Sequence, residues 1–422
     1  MPVPPLVDDG RMKTEALPHN PQNLRILQIF SRYLQPGGEE RFAELFASAL
    51  ASQHVVENYV GSTRSLLGSG PLARLVAPFL AWHNPKVERE LRNLQNEHRF
   101  DLWVIQNVLP GLSPAVYQTA QDLKVPVVHF LHSFRLSCAN GFFLNHGTPC
   151  ERCLHGNFWP AFLTSCWREN RWISGWMGLL LRRVRSLGTF QNVQAWVALN
   201  QQQKKKHMEM GIPEHRIHVV PHFYETSSSP PAPCPAGDIL FLGRLSPEKG
   251  LGLLLRAWKQ VRPLGRKLLI AGTGPEEAGL RSMASAMDLQ NVEFLGFVPR
   301  EQHPELWRRS AFAVIPSIWH EPFPLSFLET WSYQRAPVAS RLGAMAENIV
   351  DGKDGLLVEP FSASALTAAI QSLIDHPDLA SRMGEAGRAK VLTQFHRELW
   401  LNRIQSVFSG ALQANSRHPH GV

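Results

Sequence analysis

Two glutamates, Glu321 and Glu329, lie on either side of the position where a helix is predicted to begin. Pro324 suits the first helical position, because its ring fixes φ near the helical value and its missing N–H would have had no partner there. N–H groups at the start of a helix bind anions, and here they would face the loop that carries Glu321. We predict a nucleotide-sugar site, although an isolated pair of this kind is more often two surface glutamates around an ordinary amphipathic helix. The N–H groups belong to Phe323, Leu325 and Ser326.

Two cations lie in one predicted strand-to-helix turn of the second half of the chain. The turn begins at Gly243 and contains Arg244 and Lys249. Arginine and lysine together suit a pyrophosphate, because they offer several charged N–H donors at short range. We therefore predict that this turn binds a diphosphate.

Glycine-rich loops follow other predicted strands. Gly37 and Gly38 open a helix after the first strand, and Gly274 belongs to a turn where a backbone can approach a ligand closely. Phe297 and Val298 follow the next strand, near the expected nucleobase. These loops are predicted to converge on one ligand.

Four of the five cysteines form the pattern C-x11-C-x2-C-x12-C. A C-x2-C pair with two outer cysteines could complete a tetrahedral structural zinc site. Reduced, packed cysteines are the alternative. The four are Cys138, Cys150, Cys153 and Cys166.

Four tryptophans and three arginines lie close together in the next segment. Such a group could be an interfacial element or an acceptor wall, because tryptophan beside arginine suits a lipid headgroup boundary. A buried core is the simpler interpretation, and we expect it here. The residues are Trp159, Trp167, Trp172, Trp176, Arg182, Arg183 and Arg185.

Short apolar runs alternate with amphipathic helices along the chain, which predicts parallel sheets covered by helices on both faces. One predicted helix, Pro85 to His98, has Val87, Leu91 and Leu94 on one face. The first six predicted strands are Leu24 to Phe30, His54 to Val60, Leu102 to Gln106, Pro126 to Leu131, Ala195 to Leu199 and Ile217 to Val220. The second six are Ile239 to Leu242, Lys267 to Ala271, Val292 to Leu295, Phe312 to Ile315, Pro337 to Ser340 and Leu356 to Val358.

The predicted fold class is α/β, with two doubly wound, Rossmann-like domains that face a central cleft. Neither first strand leads into Gly-x-Gly-x-x-Gly, which disfavours a dinucleotide dehydrogenase. The expected division is a loose tail (1–22), an acceptor-side domain (23–223), a linker (224–237), a nucleotide-sugar domain (238–396) and a C-terminal crossover helix with a tail (397–422).

The composition limits the partners and the location of the protein. No window approaches the roughly 18 uninterrupted apolar residues of a membrane span, and no apolar signal segment opens the chain, so we expect a cytoplasmic protein. The net charge is +8, and the segment up to Phe223 holds 23 Lys and Arg against 16 Asp and Glu. No nucleic-acid module is recognisable, so this basic half is either a solvated face or a contact for an anionic membrane or an acidic acceptor.

In order and spacing, these motifs resemble those of the family 4 retaining glycosyltransferases, which have the two-domain GT-B fold. The resemblance extends from Leu24 to about Phe408. It rests on Gly37-Gly38-Glu39, His132-Ser133-Phe134, Gly243-Arg244-Leu245, Glu248-Lys249-Gly250, Gly272-Thr273-Gly274, Glu321-Pro322-Phe323 with Glu329, and Gly343 with Glu347.

The resemblance implies a role for each motif. Arg244 and Lys249 would hold the donor diphosphate, Glu329 the ribose and Glu321 the transferred sugar, while His132 would lie beside the anomeric carbon. No Asp-x-Asp follows a strand, so protein cations would replace Mg²⁺ and catalysis would need no cofactor. Other implied donor contacts are Gly37, Gly38, Gly243, Gly274, Phe297, Val298, Phe323, Pro324 and Leu325. The chain departs from the family pattern at Ser133, Pro324, Gln334 and Ala344.

The expected function is therefore retaining transfer of a sugar from a UDP- or GDP-sugar to a glycan or lipid-linked glycan, in polysaccharide synthesis. The expected location is the cytoplasm, with the inner membrane face as an alternative within it. In such a mechanism the acceptor hydroxyl attacks from the leaving-group side, and His132 orients and stabilises. A satisfied core histidine is the alternative for His132. A non-hydrolysing sugar-nucleotide epimerase and an inactive scaffold subunit are the alternative functions.

Overall fold

The computed structural model describes residues 23–32, 37–63, 71–227 and 230–417. It contains two parallel six-stranded sheets, one from each half of the chain, and one short antiparallel hairpin. The predicted fold class, two Rossmann-like α/β domains, is confirmed. The tail predicted at 1–22 lies outside the described residues.

The first sheet has the strand order β2-β1-β3-β4-β7-β8, and every neighbouring pair is parallel. Its strands are β1 (Arg25–Arg32), β2 (Val55–Ser62), β3 (Leu102–Ile105), β4 (Val127–Phe130), β7 (Ala195–Ala198) and β8 (Ile217–Val219). Its helices are α1 (Gly38–Leu50), α2 (Pro71–Trp82), α3 (Pro85–His98), α4 (Ala115–Asp122), α5 (Trp159–Thr164), α6 (Arg171–Ser186), α7 (Thr189–Asn192) and α8 (Gln201–Glu209).

The second sheet has the order β11-β10-β9-β12-β13-β14, again with parallel pairs. Its strands are β9 (Asp238–Leu242), β10 (Leu268–Ala271), β11 (Val292–Gly296), β12 (Ser310–Ile315), β13 (Ala336–Ser340) and β14 (Leu356–Val358). Its helices are α9 (Leu251–Trp258), α10 (Glu277–Ala286), α11 (His303–Arg309), α12 (Leu325–Ser332), α13 (Gly343–Asn348), α14 (Ala363–Asp375) and α15 (Pro377–Gln394).

All the strands predicted from the sequence are present, and their ends differ from the prediction by at most two residues. The hairpin of β5 (Leu144–Asn145) and β6 (Thr148–Pro149) was not predicted, because two-residue strands carry no measurable periodicity.

The predicted helix Pro85–His98 is confirmed with both of its ends. Asn84 caps its start, with Oδ1 accepting a hydrogen bond from the Val87 N–H at 3.3 Å. Val87 and Leu91 are buried on the face that the spacing predicts. A proline after an asparagine cap thus defined this boundary in the sequence itself.

The last helix, α16 (Arg397–Arg417), crosses from the second domain back to the first. Its apolar residues Trp400, Ile404 and Phe408 join a buried cluster with Phe42 and Phe46 of α1. The predicted crossover is therefore confirmed, and it ties the two domains together. Within the described ranges, no helix combines the length and apolar character needed to cross a bilayer.

Candidate active site

The two domains meet through loops at the carboxyl ends of their sheets. Asn200, which follows β7, donates from Nδ2 to the carbonyl of Pro322 at 2.6 Å. The carboxylate of Glu347 accepts from the backbone N–H groups of Gln201 and Gln202 at 2.8 and 2.6 Å. The Glu347 carboxylate of the second domain thus accepts hydrogen bonds from the free N–H groups in the first turn of α8, in the first domain. These contacts bring the loop after β12 against the first domain.

Pro324 does not occupy the first helical position, so that prediction is wrong by one residue. Its ψ of 127° is extended, which makes it the cap residue, and α12 begins at Leu325. The Phe327 N–H donates to the Pro324 carbonyl at 3.0 Å. The N–H groups of Leu325 and Ser326 still have no partner within the helix, because first-turn donors never do.

Glu321 lies in the loop after β12 and is only 3% exposed. Its Oε1 accepts from Lys249 Nζ at 2.6 Å and from Ser317 Oγ at 2.5 Å. Among the described residues, Oε2 forms no hydrogen bond. The predicted phosphate cation and the predicted sugar ligand therefore form one ion pair, a pairing that the sequence did not predict.

Arg244 is also paired with a carboxylate. Its Nη2 donates to Glu248 Oε1 at 2.7 Å, and Ser246 Oγ donates to the same oxygen at 2.6 Å. Burial opposes ionisation of Glu248, but the nearby Arg244 guanidinium and the Ser246 hydroxyl hold its pKa below the usual value. Arg244 is therefore fixed in direction, with about a third of its side chain exposed.

Glu329, inside α12, is 5% exposed. Its Oε1 accepts from His303 Nδ1 at 2.5 Å and from Trp307 Nε1 at 3.0 Å, and in the described structure Oε2 is left without a partner. His303 Nε2 lies 3.2 Å from the carbonyl of Val298. Burial lowers the pKa of His303, but the hydrogen bond and charge of Glu329 outweigh it, so the net shift is upward. Sequence reasoning missed His303, because a lone histidine before a helix carries no motif.

The glycines serve close contacts between loops. A Cβ at Gly274 would lie 2.2 Å from the carbonyl of Leu245, and one at Gly343 would lie 2.2 Å from that of Glu321. Gly343 also has a φ of +55°, which only glycine adopts freely. A Cβ at Gly37 or Gly38 would meet nothing within 4 Å. Gly274 and Gly343 thus hold the site loops against each other, while Gly37 and Gly38 border open space.

The other predicted donor residues differ in exposure. Phe297 is 74% exposed at the end of β11, where its ring is free to stack. The Phe323 side chain is buried between His222 and Phe395, so only its backbone can reach a ligand. Leu325 packs against the cluster of the first domain, and Gln334 has the expected positive φ of 57°.

His132 ends a chain of hydrogen bonds through the first domain. Gln28 Nε2 donates to the Ala43 carbonyl at 3.0 Å, and Gln106 Nε2 donates to Gln28 Oε1 at 2.9 Å. His132 Nε2 lies 2.7 Å from Gln106 Oε1. The Ala43 carbonyl oxygen can only accept, so the Gln28 amide must point its Nε2 toward it and its Oε1 toward Gln106. Gln106 must then donate to Gln28 and turn its own Oε1 toward His132. A neutral His132 therefore carries its proton on Nε2. The unshared electron pair is therefore on Nδ1.

Burial lowers the pKa of His132 to about 3, so the ring is neutral near pH 7. It stacks on His222 at 5.6 Å, and His222 contacts Phe323 at 6.0 Å. His132 also lines a cavity whose wall includes Glu39, Asn107 and Tyr117. One histidine ring thus lies between His132 and the loop that holds Glu321.

The four predicted metal ligands line one small cavity in the first domain. Burial and the neighbouring thiols raise the pKa of Cys153 to about 12 and that of Cys166 to about 11. All four are free cysteines, Cys138 and Cys150 included. No group of three or more His, Cys, Asp or Glu side chains in the described residues is placed to hold a metal ion. As they stand, the thiols do not fit a zinc site.

The predicted tryptophan core is only partly present. Trp167 and Trp176 are partly buried, but Trp159 is 62% exposed and Trp172 is 73% exposed. The expectation that all four are core is wrong, because Trp159 and Trp172 lie on sides of α5 and α6 that the described part of the chain leaves largely in solvent.

The chain was compared with known families and proteins. A model described as Glycosyltransferase Family 4 matches residues 36–228, and one described as Glycosyl transferases group 1 matches residues 229–390. The D-rhamnosyltransferase WbpZ of Pseudomonas aeruginosa is 35% identical over 153 residues, which is 36% of this chain and 39% of that protein.

A GDP-mannose-dependent alpha-(1-6)-phosphatidylinositol monomannoside mannosyltransferase of Mycolicibacterium smegmatis is 29% identical over 185 residues, 42% of this chain and 48% of that protein. The chain thus matches less than half the length of either relative.

Solved structures share the architecture. Anabaena Alr3699/HepE, crystallised with UDP-glucose, aligns with a TM-score of 0.68 and 17% identity over 92% of this chain and 100% of that one. Sucrose-phosphate synthase from Thermosynechococcus elongatus aligns with a TM-score of 0.69 and 17% identity over 93% and 100%. At such identities the likeness concerns the fold alone, and it is the GT-B fold.

Proposed function

The chain belongs to family 4 of the glycosyltransferases, within group 1, and we propose that it moves a sugar from a nucleotide sugar to a glycan or lipid-linked glycan with retention of configuration. The observation that carries the proposal is the set of three acid–base pairs at the carboxyl edge of the second sheet. They are Arg244–Glu248, Lys249–Glu321 and His303–Glu329.

Each pair has a donor group that it suits. Glu329, fixed by His303 and Trp307, offers Oε2 to the ribose hydroxyls, and Phe297 offers a ring to the base. Lys249 and Arg244 lie in one turn, where they would meet the diphosphate together with the first turn of α12. Glu321, held through Oε1, would offer Oε2 to a hydroxyl of the transferred sugar.

The chemistry follows from where charge develops. As the bond between the anomeric carbon and the phosphate oxygen breaks, negative charge grows on the leaving diphosphate, and Lys249 and Arg244 stabilise it. The acceptor hydroxyl attacks from the same side and passes its proton to that oxygen. Neutral His132, with its electron pair on Nδ1, accepts a hydrogen bond and orients a substrate hydroxyl instead of transferring a proton. Protein cations thus take the part of Mg²⁺.

The donor is proposed to be a UDP- or GDP-sugar. HepE was crystallised with UDP-glucose, while the mycobacterial relative depends on GDP-mannose, so the relatives differ in base. A thermal-shift panel of UDP, GDP and their sugars would decide, since a ligand at 100 times its Kd adds about 2.7 kcal/mol of stability. Turnover of the donor without any acceptor would favour a sugar-nucleotide epimerase instead.

Calorimetry with free nucleotide and rate measurements with the nucleotide sugar test the assignment. Glu329→Gln should weaken nucleotide binding itself, because the ribose is part of the product. Glu321→Gln should keep nucleotide affinity, or raise it by freeing Lys249 for phosphate, while transfer falls sharply. Glu359→Gln, at a carboxylate with 75% exposure, is the control and should change neither. Equal loss of nucleotide affinity in the first two variants would refute these roles.

The structural zinc stays a prediction, because the thiols would have to move together to bind it. About one zinc per chain, lost in Cys150→Ser together with stability, would support it. Metal-free protein with full activity would leave the cysteines as packed thiols.

A further inference from the structure

Three neighbouring helices of the first domain, α2, α5 and α6, carry large apolar side chains in solvent. A soluble protein rarely exposes so many together unless the surface binds something. We name this set the apolar face. It consists of Leu75 (70% exposed), Phe79 (73%), Trp159 (62%), Leu163 (61%), Trp172 (73%) and Leu179 (52%).

Helical spacing aligns the exposed residues within α5 and within α6, and the Phe162 ring joins the two helices, at 5.1 Å from the Trp159 ring and 5.3 Å from the Trp172 ring. Residues four or seven apart lie on the same side of a helix, as do Trp159 and Leu163 in α5 and Trp172 and Leu179 in α6. The helices touch, with ring centroids 5.5 Å apart between Trp82 and Trp176. The opposite side of α6 is packed in the core through Met177, Leu180, Leu181 and Val184. Helix α6 is therefore apolar on two sides, and the fold uses only one.

The surroundings of the face are cationic. The segment 159–186 contains five arginines and a single acidic residue, Glu169. Arg168, Arg171 and Arg182 are exposed, and the Arg183 guanidinium lies 4.8 Å from the centre of the Trp82 ring. Exposed tryptophans bordered by arginines suit the boundary between lipid headgroups and acyl chains, while the excess of arginines over the single acidic residue disfavours a cationic partner.

We propose that the apolar face docks on an anionic lipid bilayer and lies in its interface. This docking proposal rests on the proposed function only for the identity of the acceptor, a lipid-linked glycan. Arg185 of α6 donates to Ser137 Oγ at 2.8 Å, and Ser137 lies five residues after His132 in the loop that follows β4. The docking helix is thus bonded to the loop of the candidate active site. A membrane-bound acceptor would be held beside the cleft.

Flotation with vesicles tests the docking without any catalysis. The full chain should bind vesicles of phosphatidylcholine mixed with phosphatidylglycerol more tightly than vesicles of phosphatidylcholine alone. Phe79→Ser with Trp172→Ser should lower that affinity about tenfold or more, because burying one such side chain is worth about 1.5 to 3 kcal/mol. Arg171→Gln should lower affinity about fivefold, and only for the anionic vesicles, because one basic residue near such a surface contributes about 1 kcal/mol.

The control is Leu392→Ser, at an apolar side chain of α15 that is 48% exposed in the second domain, and it should change nothing. Nucleotide affinity, measured by calorimetry, should be equal in all these variants, which separates this proposal from the proposed function. Absence of vesicle binding, binding unchanged by the double variant, or burial of the face in a dimer that Trp172→Ser dissociates would each overturn the membrane assignment.

Discussion

The first-domain side of the cleft holds its buried polar groups neutral, whereas the second-domain side holds them as ion pairs. His132 and the two glutamines behind it form a chain of uncharged hydrogen bonds. Lys249 and His303 instead face buried carboxylates. The two sides therefore shift histidine pKa values in opposite directions, downward for His132 and upward for His303.

This difference between the two sides of the cleft indicates which part of the proposed reaction each side suits. In the proposed transfer, negative charge develops on the donor diphosphate, and paired charges can redirect toward it when the ligand arrives. In that transfer the acceptor and the anomeric carbon must be oriented, and no competing charged side chain should lie beside them. Neutral side chains whose hydrogen-bond donors are fixed in direction meet both requirements. Burying a charge without a partner lowers the free energy of unfolding, so neutral groups also keep the first domain more stable.

The largest effect should follow from breaking the ion pair of the donor side. Lys249→Ala should lower kcat/KM by roughly 2 to 4 kcal/mol, because Lys249 meets charge in the transition state. It should also lower the free energy of unfolding by about 3 kcal/mol, because Glu321 remains buried without its cation. Chemical denaturation and steady-state rates measure the two effects.

A double variant, Lys249→Met with Glu321→Gln, should recover most of that stability and none of the activity. Arg341→Met breaks an exposed pair with Asp351 and should cost at most about 1 kcal/mol. A Lys249→Ala protein as stable as the wild type would show that the pair does not hold the site loops.

The second effect is a difference in acid stability between the domains. Burial lowers the pKa of His129 and His132 to about 3 and that of His207 to about 4. For a histidine with a lowered folded-state pKa, the stabilisation is present above the unfolded value of about 6.5 and is lost as the pH falls below it. The first sheet should therefore lose protection between pH 7 and pH 5, by about 1.4 kcal/mol for each pH unit and histidine at most.

Hydrogen exchange corrected for intrinsic rates can follow each sheet separately. The second sheet should lose less protection over the same range, since its buried His303 has a raised pKa and gains from protonation, which offsets the pKa of His320 that burial lowers. Equal acid sensitivity of both sheets would contradict the difference between neutral buried groups in the first domain and ion pairs in the second.

The third effect concerns the neutral chain. Gln106→Leu removes the acceptor of His132 Nε2 and the donor to Gln28, so His132 loses its fixed tautomer. We expect kcat to fall about tenfold with unchanged nucleotide affinity, because the ring no longer orients the reacting groups. Gln95→Leu, which removes hydrogen bonds to Phe100 and Trp103 away from the cleft, is the matched control. Loss of nucleotide affinity in Gln106→Leu would contradict a role confined to the acceptor side.

The smallest effect is the pH dependence of nucleotide binding. His303 is held protonated by Glu329, so its contribution is complete below pH 6.5 and is lost as the pH rises through its raised pKa. Nucleotide affinity should weaken over that interval by about 1 kcal/mol, the net contribution of one typical hydrogen bond. His303→Gln should bind more weakly at low pH and show a flat profile in calorimetry. An unchanged profile in this variant would assign the titration to another group.

The sequence alone determined the layers of the fold and the order of the site loops. Apolar runs and helical periodicity located the strands, and Pro85 defined a helix start, because these signals are local. Since parallel strands present their carboxyl ends at one edge, Arg244, Lys249, Glu321 and Glu329 were predicted to lie together. Of these four, Lys249 and Glu321 contact each other directly, as an ion pair.

Only the tertiary structure decided which groups pair and which remain in solvent. Lys249 meets Glu321 across 72 residues, and Gln28 meets Gln106 across 78, and no periodic pattern connects positions so far apart. Trp172 has the same sequence signature as a core tryptophan, yet it is 73% exposed. The described part of the chain leaves that side of α6 largely in solvent, with the Phe162 ring 5.3 Å from the Trp172 ring. Periodicity reports that a helix has an apolar face, but packing alone decides whether the protein or another surface covers it.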